Sequence, residues 1–275
     1  MRRRVDAELV RRGLASGRRQ AVEAIERGQV LVSGTLVTKA TRLVGADEAL
    51  VVQGEPARFV SRGGEKLDAA LALFGLDVSG KRCLDAGAST GGFTDCLLKR
   101  GAAHVVAADV GRGQLAWSLR NDDRVSVIEN CNVRYLAPGD IGGVADLVVV
   151  DLSFISLRLV APALARLTSH GGFLVLLIKP QFESERVGVG KGGVVRDPAV
   201  HLSVLKSVEN DLRTAGLLMV NVMPSPLKGP AGNAEFLGHF ILADSLPCAA
   251  RVDEQQLRGV VEAVHQGGVS WAEMQ

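Results

Sequence analysis

Two lysines and two carboxylates stand in this sequence at positions where a fold alone would not require charge. Asp151 and Lys179 each follow directly after an apolar run, while Lys66 and Glu235 lie in glycine-containing segments. A lysine at the end of a buried strand costs free energy unless its ammonium group has a partner or a function. These four residues are therefore the first candidates for chemistry.

If Lys66, Asp151, Lys179 and Glu235 converge on one crevice, their opposite charges neutralise each other there. The same arrangement suits removal of a proton from a substrate, because partial burial and a neighbouring cation lower the pKa of a lysine. The carboxylates raise that pKa and fix the orientation of the ammonium group. A pair of ordinary salt bridges is the alternative interpretation.

A loop of mostly small residues, Leu84–Thr94, has the form D-x-G-x-x-x-G-G. Its glycines let the backbone approach a ligand closely, and the helix predicted after it offers free N–H groups. The spacing differs from that of dinucleotide-binding and phosphate-binding loops, which favours a nucleoside ligand such as S-adenosylmethionine. A tight turn without a ligand is the alternative. The candidate cofactor residues in this loop are Asp85, Gly87, Ser89, Thr90, Gly91, Gly92 and Phe93.

A further acid, Asp109, ends the next predicted strand, 24 positions after Asp85 (109 − 85). A carboxylate at this place commonly accepts hydrogen bonds from ribose hydroxyls, although a helix N-cap is an alternative role. Asp109 strengthens the nucleoside interpretation of the loop, and Asp151 joins the candidate cofactor residues. No strand end carries a cluster of metal ligands, so we expect no catalytic metal.

From Arg82 onward, strand-like runs alternate with helix-like segments, which predicts a mostly parallel sheet covered on both faces. Ligands bind such a sheet beyond the carboxyl ends of its strands, where the strand order reverses. The predicted strands are Arg82–Asp85, His104–Asp109, Val125–Glu129, Asp146–Val150, Gly172–Ile178, Leu217–Met223 and Phe236–Leu242. The predicted helices are Gly92–Arg100, Gln114–Leu119, Leu157–Leu167 and Ala199–Ala215, and a terminal helix follows residue 251.

The first part of the chain is basic, although the charge of the whole chain is nearly balanced. Residues 1–42 hold ten arginines and lysines against four acids. This asymmetry favours a polyanionic partner, with a solvated surface as the alternative. Apolar spacing predicts short helices that end before Gly13 and Gly28, followed by a hairpin across Ser33-Gly34.

Composition excludes several classes of protein. With 47% hydrophobic and 23% charged residues in 275, the chain is typical of a globular protein. The longest apolar run near a strand, Phe173–Ile178, is too short to span a bilayer. The basic N-terminus lacks an apolar signal core, and the four cysteines lie far apart. We therefore expect a cytoplasmic protein with reduced thiols, no membrane partner, and a monomeric state.

The pattern R-R-x-A-x-x-x-I-x-x-G-x-V-x-V-x-G, at Arg18–Gly34, resembles a known RNA-binding module. This α-L module is shared by a small-subunit ribosomal protein, pseudouridine synthases and tyrosyl-tRNA synthetases. The resemblance implies RNA recognised through shape and phosphates. From charge placement and this resemblance, the candidate phosphate contacts are Arg4, Arg18, Lys39 and Arg62.

The whole chain resembles the TlyA family of haemolysin-named, S-adenosylmethionine-dependent ribosomal RNA 2′-O-methyltransferases with an FtsJ-like catalytic domain. The resemblance rests on six blocks in the family's order: Ser61–Leu67, Leu84–Thr94, Ala107–Leu115, Asp151–Ser156, Lys179–Glu183 and Gly229–Glu235. It implies a Rossmann-like class I methyltransferase with a mostly parallel seven-stranded sheet, preceded by a small α+β RNA-binding domain. The domains implied are 1–55 (RNA binding), 56–61 (linker), 62–250 (methyltransferase) and 251–275 (helical extension).

The family's Lys-Asp-Lys-Glu tetrad then falls on Lys66, Asp151, Lys179 and Glu235. The implied reaction is an in-line methyl transfer to a ribose 2′-oxygen, and the resemblance implies cytidine of ribosomal RNA within ribosomal subunits as the target. Phe154, close to Asp151, is expected to stack on a nucleotide drawn out of its helix, and a core phenylalanine is the alternative.

Three rival functions stay open at this point. A methyltransferase for exocyclic amines normally carries [ND]-P-P-[YF] where this chain has Asp151-Leu152-Ser153-Phe154. A non-enzymatic RNA-binding or assembly factor would tolerate replacement of the tetrad. A pore-forming haemolysin is disfavoured by the expected absence of an export signal and an apolar span.

Overall fold

The computed structural model describes residues 2–15, 17–26, 28–54, 58–184, 190, 192–245 and 251–266, apart from the side chains of Arg19 and Glu23. The chain divides into two compact units, Met1–Ser61 and Arg62–Gln275. The second unit carries the strands whose ends bear the predicted reactive side chains.

The first unit is a small α+β unit with one apolar core. Its elements are β1 (Arg3–Arg4), α1 (Val5–Arg11), α2 (Arg18–Glu26), β2 (Val30–Val32), β3 (Thr35–Leu36), β4 (Leu43–Val44) and β5 (Leu50–Val52). Strand β2 pairs antiparallel with both β3 and β5, and β1 pairs with β4. Leu9 of α1 and Ile25 of α2 pack in the core beside Val30 and Val32. The two helices end close to Gly13 and Gly28, as the sequence predicts.

The second unit alternates strands and helices. Its elements are α3 (Gly63–Leu73), β6 (Arg82–Ala86), α4 (Gly92–Lys99), β7 (His104–Ala108), α5 (Trp117–Arg120), β8 (Val125–Ile128), β9 (Ala145–Val150), α6 (Leu157–Leu167), β10 (Thr168–Ile178), α7 (Pro180–Glu183), α8 (Pro198–Thr214), β11 (Leu217–Pro224), β12 (Phe236–Leu242) and α9 (Glu254–His265). Two 3-10 turns, Val133–Tyr135 and Pro138–Ile141, lie between β8 and β9.

In the described part of this unit, seven strands form one sheet in the order β11-β12-β10-β9-β6-β7-β8. Strand β12 runs antiparallel to both neighbours, and the other pairs are parallel. Leu164 of α6 and Leu205 of α8 pack in one core with Val148 and Leu176 of the sheet. The predicted α/β class with a mostly parallel seven-stranded sheet is confirmed.

The strand order reverses between β6 and β9. From β6 the chain proceeds outward through β7 to β8, whereas β9 and β10 lie on the other side of β6. Neighbouring loops diverge at such a reversal, which leaves a crevice beyond the carboxyl ends of the strands. Asp85 lies in β6 and Asp151 follows β9, so both predicted acids stand at this crevice.

Most predicted boundaries in the second unit agree with the structure to within one residue, but two predicted elements differ from it by several residues. Strand β10 begins earlier than Gly172, because Thr168 already pairs with Ala145 before a register shift. The helix predicted from Gln114 begins only at Trp117, because the preceding Ala116 N–H donates to Thr90 O at 3.2 Å in the glycine loop. Tertiary contacts, rather than local spacing, therefore set these two boundaries.

The terminal helix predicted from apolar spacing is α9. Asp253 caps it, since its carboxylate accepts from Gln256 N at 2.8 Å while the Gln256 side chain accepts from Asp253 N at 2.9 Å. Leu257 and Val261 bury the apolar face of α9 in the core. Cys248, just before this helix, lies outside the described residues. In the part of the chain that the structure describes, neither α9 nor another helix is long and apolar enough to cross a membrane.

Two buried acids of the first unit accept hydrogen bonds from nearby arginines. Asp6 accepts hydrogen bonds from Arg4 Nε at 3.1 Å and Nη2 at 2.9 Å. Glu8 accepts from Arg11 at 2.8 and 2.6 Å and from Arg12 at 2.8 Å. The hydrogen bonds from Arg11 and Arg12 lower the pKa of Glu8 to about 2. The ionised form of Glu8 is therefore favoured by folding.

This pKa predicts acid sensitivity of α1. A carboxyl group whose pKa is lowered on folding stabilises the fold above its unfolded pKa of about 4.3, and that stabilisation is lost as the pH falls toward the folded pKa. We expect hydrogen exchange in Val5–Arg11, corrected for its intrinsic pH dependence, to accelerate between about pH 4.3 and pH 2. Glu8→Gln should already exchange faster at pH 5 and depend less on pH. Glu26→Gln is the control, and equal pH profiles for Glu8→Gln and the unchanged protein would contradict the prediction.

Candidate active site

The glycine loop between β6 and α4 brings its backbone against two neighbouring segments. Gly87 has a φ of +92°, and a Cβ atom there would lie 2.5 Å from Asp151 O. Gly91 has a φ of +97°, and a Cβ atom there would overlap Leu119. Both the positive φ and the close approach exclude larger residues at these two positions. Gly92 then begins α4, and the side chain of Phe93 is buried.

Asp85 is fully buried beneath this loop. Its Oδ2 atom accepts hydrogen bonds from Thr94 N at 2.9 Å and Thr94 Oγ1 at 2.6 Å. Burial raises its pKa to about 7, and the charges of Asp151 and Asp109 act in the same direction. Among the described residues, no group donates a hydrogen bond to the buried Oδ1 atom of Asp85. An acceptor that lacks a protein partner is suited to a donor or cation on a ligand.

Asp109 holds two loops together at the end of β7. Its carboxylate accepts from Ser89 N at 2.8 Å and from Gly111 N at 2.6 Å. Ser89 has a φ of +48°, so the backbone turns sharply to aim its N–H at this carboxylate. The N-cap of the next helix, α5, is Ala116, so Asp109 is not the helix cap considered as its alternative role. Each oxygen of this carboxylate keeps a lone pair with which it could accept a hydrogen bond from a ribose hydroxyl.

A surface cavity of about 530 Å³ adjoins Asp109. Cys131 N, in its wall, donates to Asp109 O at 2.9 Å. The cavity is lined by Ile128, Asn130, Cys131, Asn132, Tyr135, Leu136 and Asp140. Sequence reasoning missed these residues, although Glu129–Asn132 directly follows the third parallel strand and so lies at the same edge of the sheet as Asp85 and Asp109.

The four predicted tetrad residues form two ion pairs. Lys66 Nζ lies 2.5 Å from Glu235 Oε2, and both side chains are buried. Lys179 Nζ lies 2.5 Å from Asp151 Oδ1, and Lys179 is the more buried of that pair. Lys179 Nζ also donates to Ser153 Oγ at 3.1 Å. Each lysine therefore has the carboxylate partner that its burial requires.

Strand register brings the two pairs to one edge of the sheet. Ile178 of β10 is opposite Phe236 of β12, so Lys179 and Glu235 are the next residues beyond the paired ends. Asp151 is tied to the same edge, because its N–H donates to Ala86 O at 3.1 Å. Both ion pairs thus lie at the edge of the sheet from which the glycine loop leaves β6.

The loop that follows Asp151 presents an aromatic side chain to solvent. Phe154 is 90% exposed. Its φ is +66°, a conformation that bulky residues rarely adopt. Its ring contacts Phe182, with 5.1 Å between the ring centroids. The alternative interpretation of Phe154 as a core residue is therefore wrong.

The four predicted phosphate contacts are cationic side chains in different surroundings. Arg4 and Arg18 share one partner, since Arg18 Nη2 lies 3.7 Å from Asp6 Oδ2 and Arg4 Nη2 lies 2.9 Å from it. Lys39 is exposed in the segment between β3 and β4. In the second unit, Arg62 precedes α3 and donates to the main-chain carbonyl of Lys228 at 2.7 Å.

Comparison with known proteins identifies a family for each of two parts of the chain. The FtsJ-like methyltransferase family matches residues 59–241, and the S4 domain family matches residues 3–49. The chain is 55% identical over 236 residues to the 16S/23S rRNA (cytidine-2′-O)-methyltransferase TlyA of Mycobacterium tuberculosis (strain ATCC 25618 / H37Rv), covering 86% of this chain and 88% of that protein.

Two haemolysin-named proteins are also similar. Hemolysin A of Brachyspira hyodysenteriae is 43% identical over 241 residues, which cover 87% of this chain and 100% of that protein. A solved structure of a candidate hemolysin from Streptococcus thermophilus is 40% identical, covers 96% of both chains and has a TM-score of 0.78. Because these matches extend over most of each chain, and the FtsJ-like match alone spans residues 59–241, this chain belongs to the TlyA family.

Proposed function

We propose that this chain transfers a methyl group from S-adenosylmethionine to a ribose 2′-oxygen of ribosomal RNA. The observation that carries the proposal is the presence of two ion pairs, the buried Lys66–Glu235 and the partly exposed Lys179–Asp151, at the edge of the sheet from which the glycine loop leaves. The name of the similar M. tuberculosis protein supports a cytidine in one or both ribosomal subunits as the target.

The residues at the end of β6 and β7 fit the proposed cofactor. S-Adenosylmethionine supplies an electrophilic methyl group on a sulfonium centre. Gly87 lets the loop pack closely against Asp151 O, and the unpartnered Oδ1 atom of Asp85 suits a donor group. Asp109 would accept the ribose hydroxyls, and the cavity beside it, with Asn130 in its wall, would take the adenine base.

Lys179 and its partners would remove the proton of the target hydroxyl. Lys179 Nζ could take the proton of the attacking 2′-hydroxyl once its own proton has passed to Asp151, the carboxylate 2.5 Å away, because an ammonium group has no lone pair with which to accept one. Asp151 and Ser153 fix the position of that ammonium group. Lys66 and Glu235 complete the wall of the site. Holding the two reacting atoms in line would lower the activation barrier by on the order of several kcal/mol.

The sequence after Asp151 favours ribose oxygen over an exocyclic amine. Amine methyltransferases carry an [ND]-P-P-[YF] motif there, whereas this chain has a serine that contacts Lys179. Phe154 would stack on the nucleotide that is drawn out of the RNA, because its ring is exposed and contacts Phe182, three residues after Lys179.

The first unit would bind RNA phosphates. Arg4, Arg18 and Lys39 belong to the S4-matching segment, and Arg62 would add a contact from the catalytic unit. We propose residues 1–55 as the RNA-binding domain, 56–61 as a linker, 62–250 as the methyltransferase domain and 251–275 as a helical extension. A monomer that acts in the cytoplasm on ribosomal subunits fits this organisation.

Lys179→Ala tests the chemical step. We expect transfer of labelled methyl groups to ribosomal subunits to fall roughly 10²- to 10⁴-fold, because the variant lacks the group that moves the proton. Calorimetry should give unchanged affinity for S-adenosylmethionine. Lys206→Ala on α8 is the matched control, with activity equal to that of the unchanged protein.

Two results would contradict this proposal in different ways. Normal turnover of Lys179→Ala would remove Lys179 from the mechanism. Absence of transfer by the unchanged protein, together with unaltered ribose methylation when ribosomal RNA is mapped with and without it, would favour an assembly factor or a membrane-active role.

Phe154→Ala tests the stacking role. Since a base stacked on an aromatic ring gains about 1–3 kcal/mol, we expect kcat/KM for ribosomal subunits to fall roughly 5- to 150-fold. Thermal stability and cofactor affinity should not change, because the ring is exposed. Leu159→Ala, another exposed apolar side chain, is the control. Unchanged methylation by Phe154→Ala would exclude stacking.

Arg4→Gln and Arg18→Gln test the phosphate contacts. Each substitution should weaken RNA binding and reduce the slope of log Kd against log salt by about 1, because one fewer counterion is released. Affinity for S-adenosylmethionine should stay constant. Arg258→Gln, an exposed arginine on α9, is the control for loss of charge. If the salt slope of the first two variants does not change, these arginines do not contact phosphate.

A further inference from the structure

Two short segments at the ends of β9 and β10 are joined by several contacts. We call residues 151–156 the aromatic loop and residues 179–183 the bracing segment. At the beginning of both, Lys179 Nζ contacts Asp151 Oδ1 at 2.5 Å and Ser153 Oγ at 3.1 Å. The bracing segment therefore holds the first half of the aromatic loop through the same lysine that belongs to the tetrad.

Glu183, at the other end of the bracing segment, holds the second half of the loop. Its Oε2 atom accepts from Ser156 Oγ at 2.6 Å, and its Oε1 atom accepts from Leu157 N at 2.9 Å. Leu157 is the first residue of α6, so its N–H has no partner within the helix. Burial raises the pKa of Glu183, while these two hydrogen bonds lower it. A half-buried carboxylate with both oxygens directed at one junction fixes that junction in place.

Phe154 lies midway between these two anchors in an unfavourable conformation. A phenylalanine with a φ of +66° persists only where its surroundings determine the backbone on both sides. Its ring is 90% exposed, so packing of the ring in a core does not compensate the strain. Phe182 of the bracing segment contacts one side of the ring. The anchors and this ring contact are the described interactions that hold Phe154 outward.

We propose that Glu183 is a positioning residue that, together with Phe182, holds Phe154 in the orientation in which it receives the target nucleotide. This inference rests on the proposed function. The bracing segment carries Lys179 at one end and Glu183 at the other, so one rigid piece of chain sets both the position of the base and the position of the proton-transferring group. A nucleotide seated on Phe154 is thereby presented to Lys179 at a fixed distance.

A double-mutant cycle tests this role. Glu183→Ala removes both hydrogen bonds, and we expect kcat/KM for ribosomal subunits to fall on the order of a hundredfold, as for a small misplacement of a reacting group. Glu183→Gln should recover most of the activity, because its amide oxygen still accepts from Leu157 N and its amide nitrogen donates to Ser156 Oγ. In a Phe154→Ala background, Glu183→Ala should cause little further loss.

Hydrogen exchange gives a readout that does not depend on methyl transfer. Exchange in the aromatic loop should be faster in Glu183→Ala and unchanged in Glu183→Gln, with equal affinity for S-adenosylmethionine in all three proteins. Glu262→Ala on α9 is the control. If Glu183→Ala does not fold, Glu183→Asp replaces it, since the shorter side chain keeps the charge but cannot reach both partners.

Three results would overturn the inference. Additive losses in the double variant would mean that Glu183 only caps α6. Unchanged exchange in the aromatic loop would mean that Glu183 does not hold it, and failure of Glu183→Gln to recover activity would point to the charge rather than the hydrogen bonds. Absence of methyl transfer by the unchanged protein would reject the proposed function instead, while the exchange experiment would still decide whether Glu183 holds the loop.

Discussion

A charged side chain at the end of a buried strand needs an opposite charge within reach, and the sheet of this protein is arranged to provide it. Lys179 ends β10 and is matched by Asp151 at the end of the parallel neighbour β9. Glu235 comes from β12, and because β12 is antiparallel, its amino end lies where the other strands have their carboxyl ends. Helix α3 then supplies Lys66 to neutralise Glu235. Because β12 runs in the reverse direction, Glu235 lies at the same edge of the sheet as Asp151 and Lys179.

The glycine loop and the Lys179–Asp151 ion pair are connected through Asp151. Asp151 offers its side chain to Lys179, its N–H to Ala86 O and its carbonyl to the space beside Gly87. A larger residue at position 87 would collide with Asp151 O, so the loop and the tetrad cannot move independently. The fully buried Asp85 beneath the loop adds a second fixed point through Thr94. The glycine loop and the Lys179–Asp151 ion pair are thus fixed relative to each other by the backbone at Asp151.

The sequence was sufficient to predict the features that follow from local spacing. Alternating apolar runs predicted the strands. Charged residues at or near their ends predicted that two lysines and two carboxylates neutralise each other, but not which lysine pairs with which carboxylate. Features set by distant contacts were not predictable in this way. The start of α5 depends on a bond between Ala116 and Thr90, and the role of Glu183 depends on its meeting Ser156, a residue on another strand's loop. The positive φ of Phe154 could not be predicted either, because phenylalanine rarely adopts this conformation.

The position of β12 has a consequence for the order in which the protein is made. Lys66 and Glu235 are 169 residues apart, and β12 inserts between β10 and β11, both of which precede it in the chain. During synthesis the glycine loop, Asp151 and Lys179 can all be in place while β11 still lacks the strand that joins it to the sheet. Long-range pairing of this kind forms late, after the loop that it closes has been synthesised. Lys66, Asp151, Lys179 and Glu235 can therefore come together only after β12 has been synthesised, and the same strand joins β11 to the sheet.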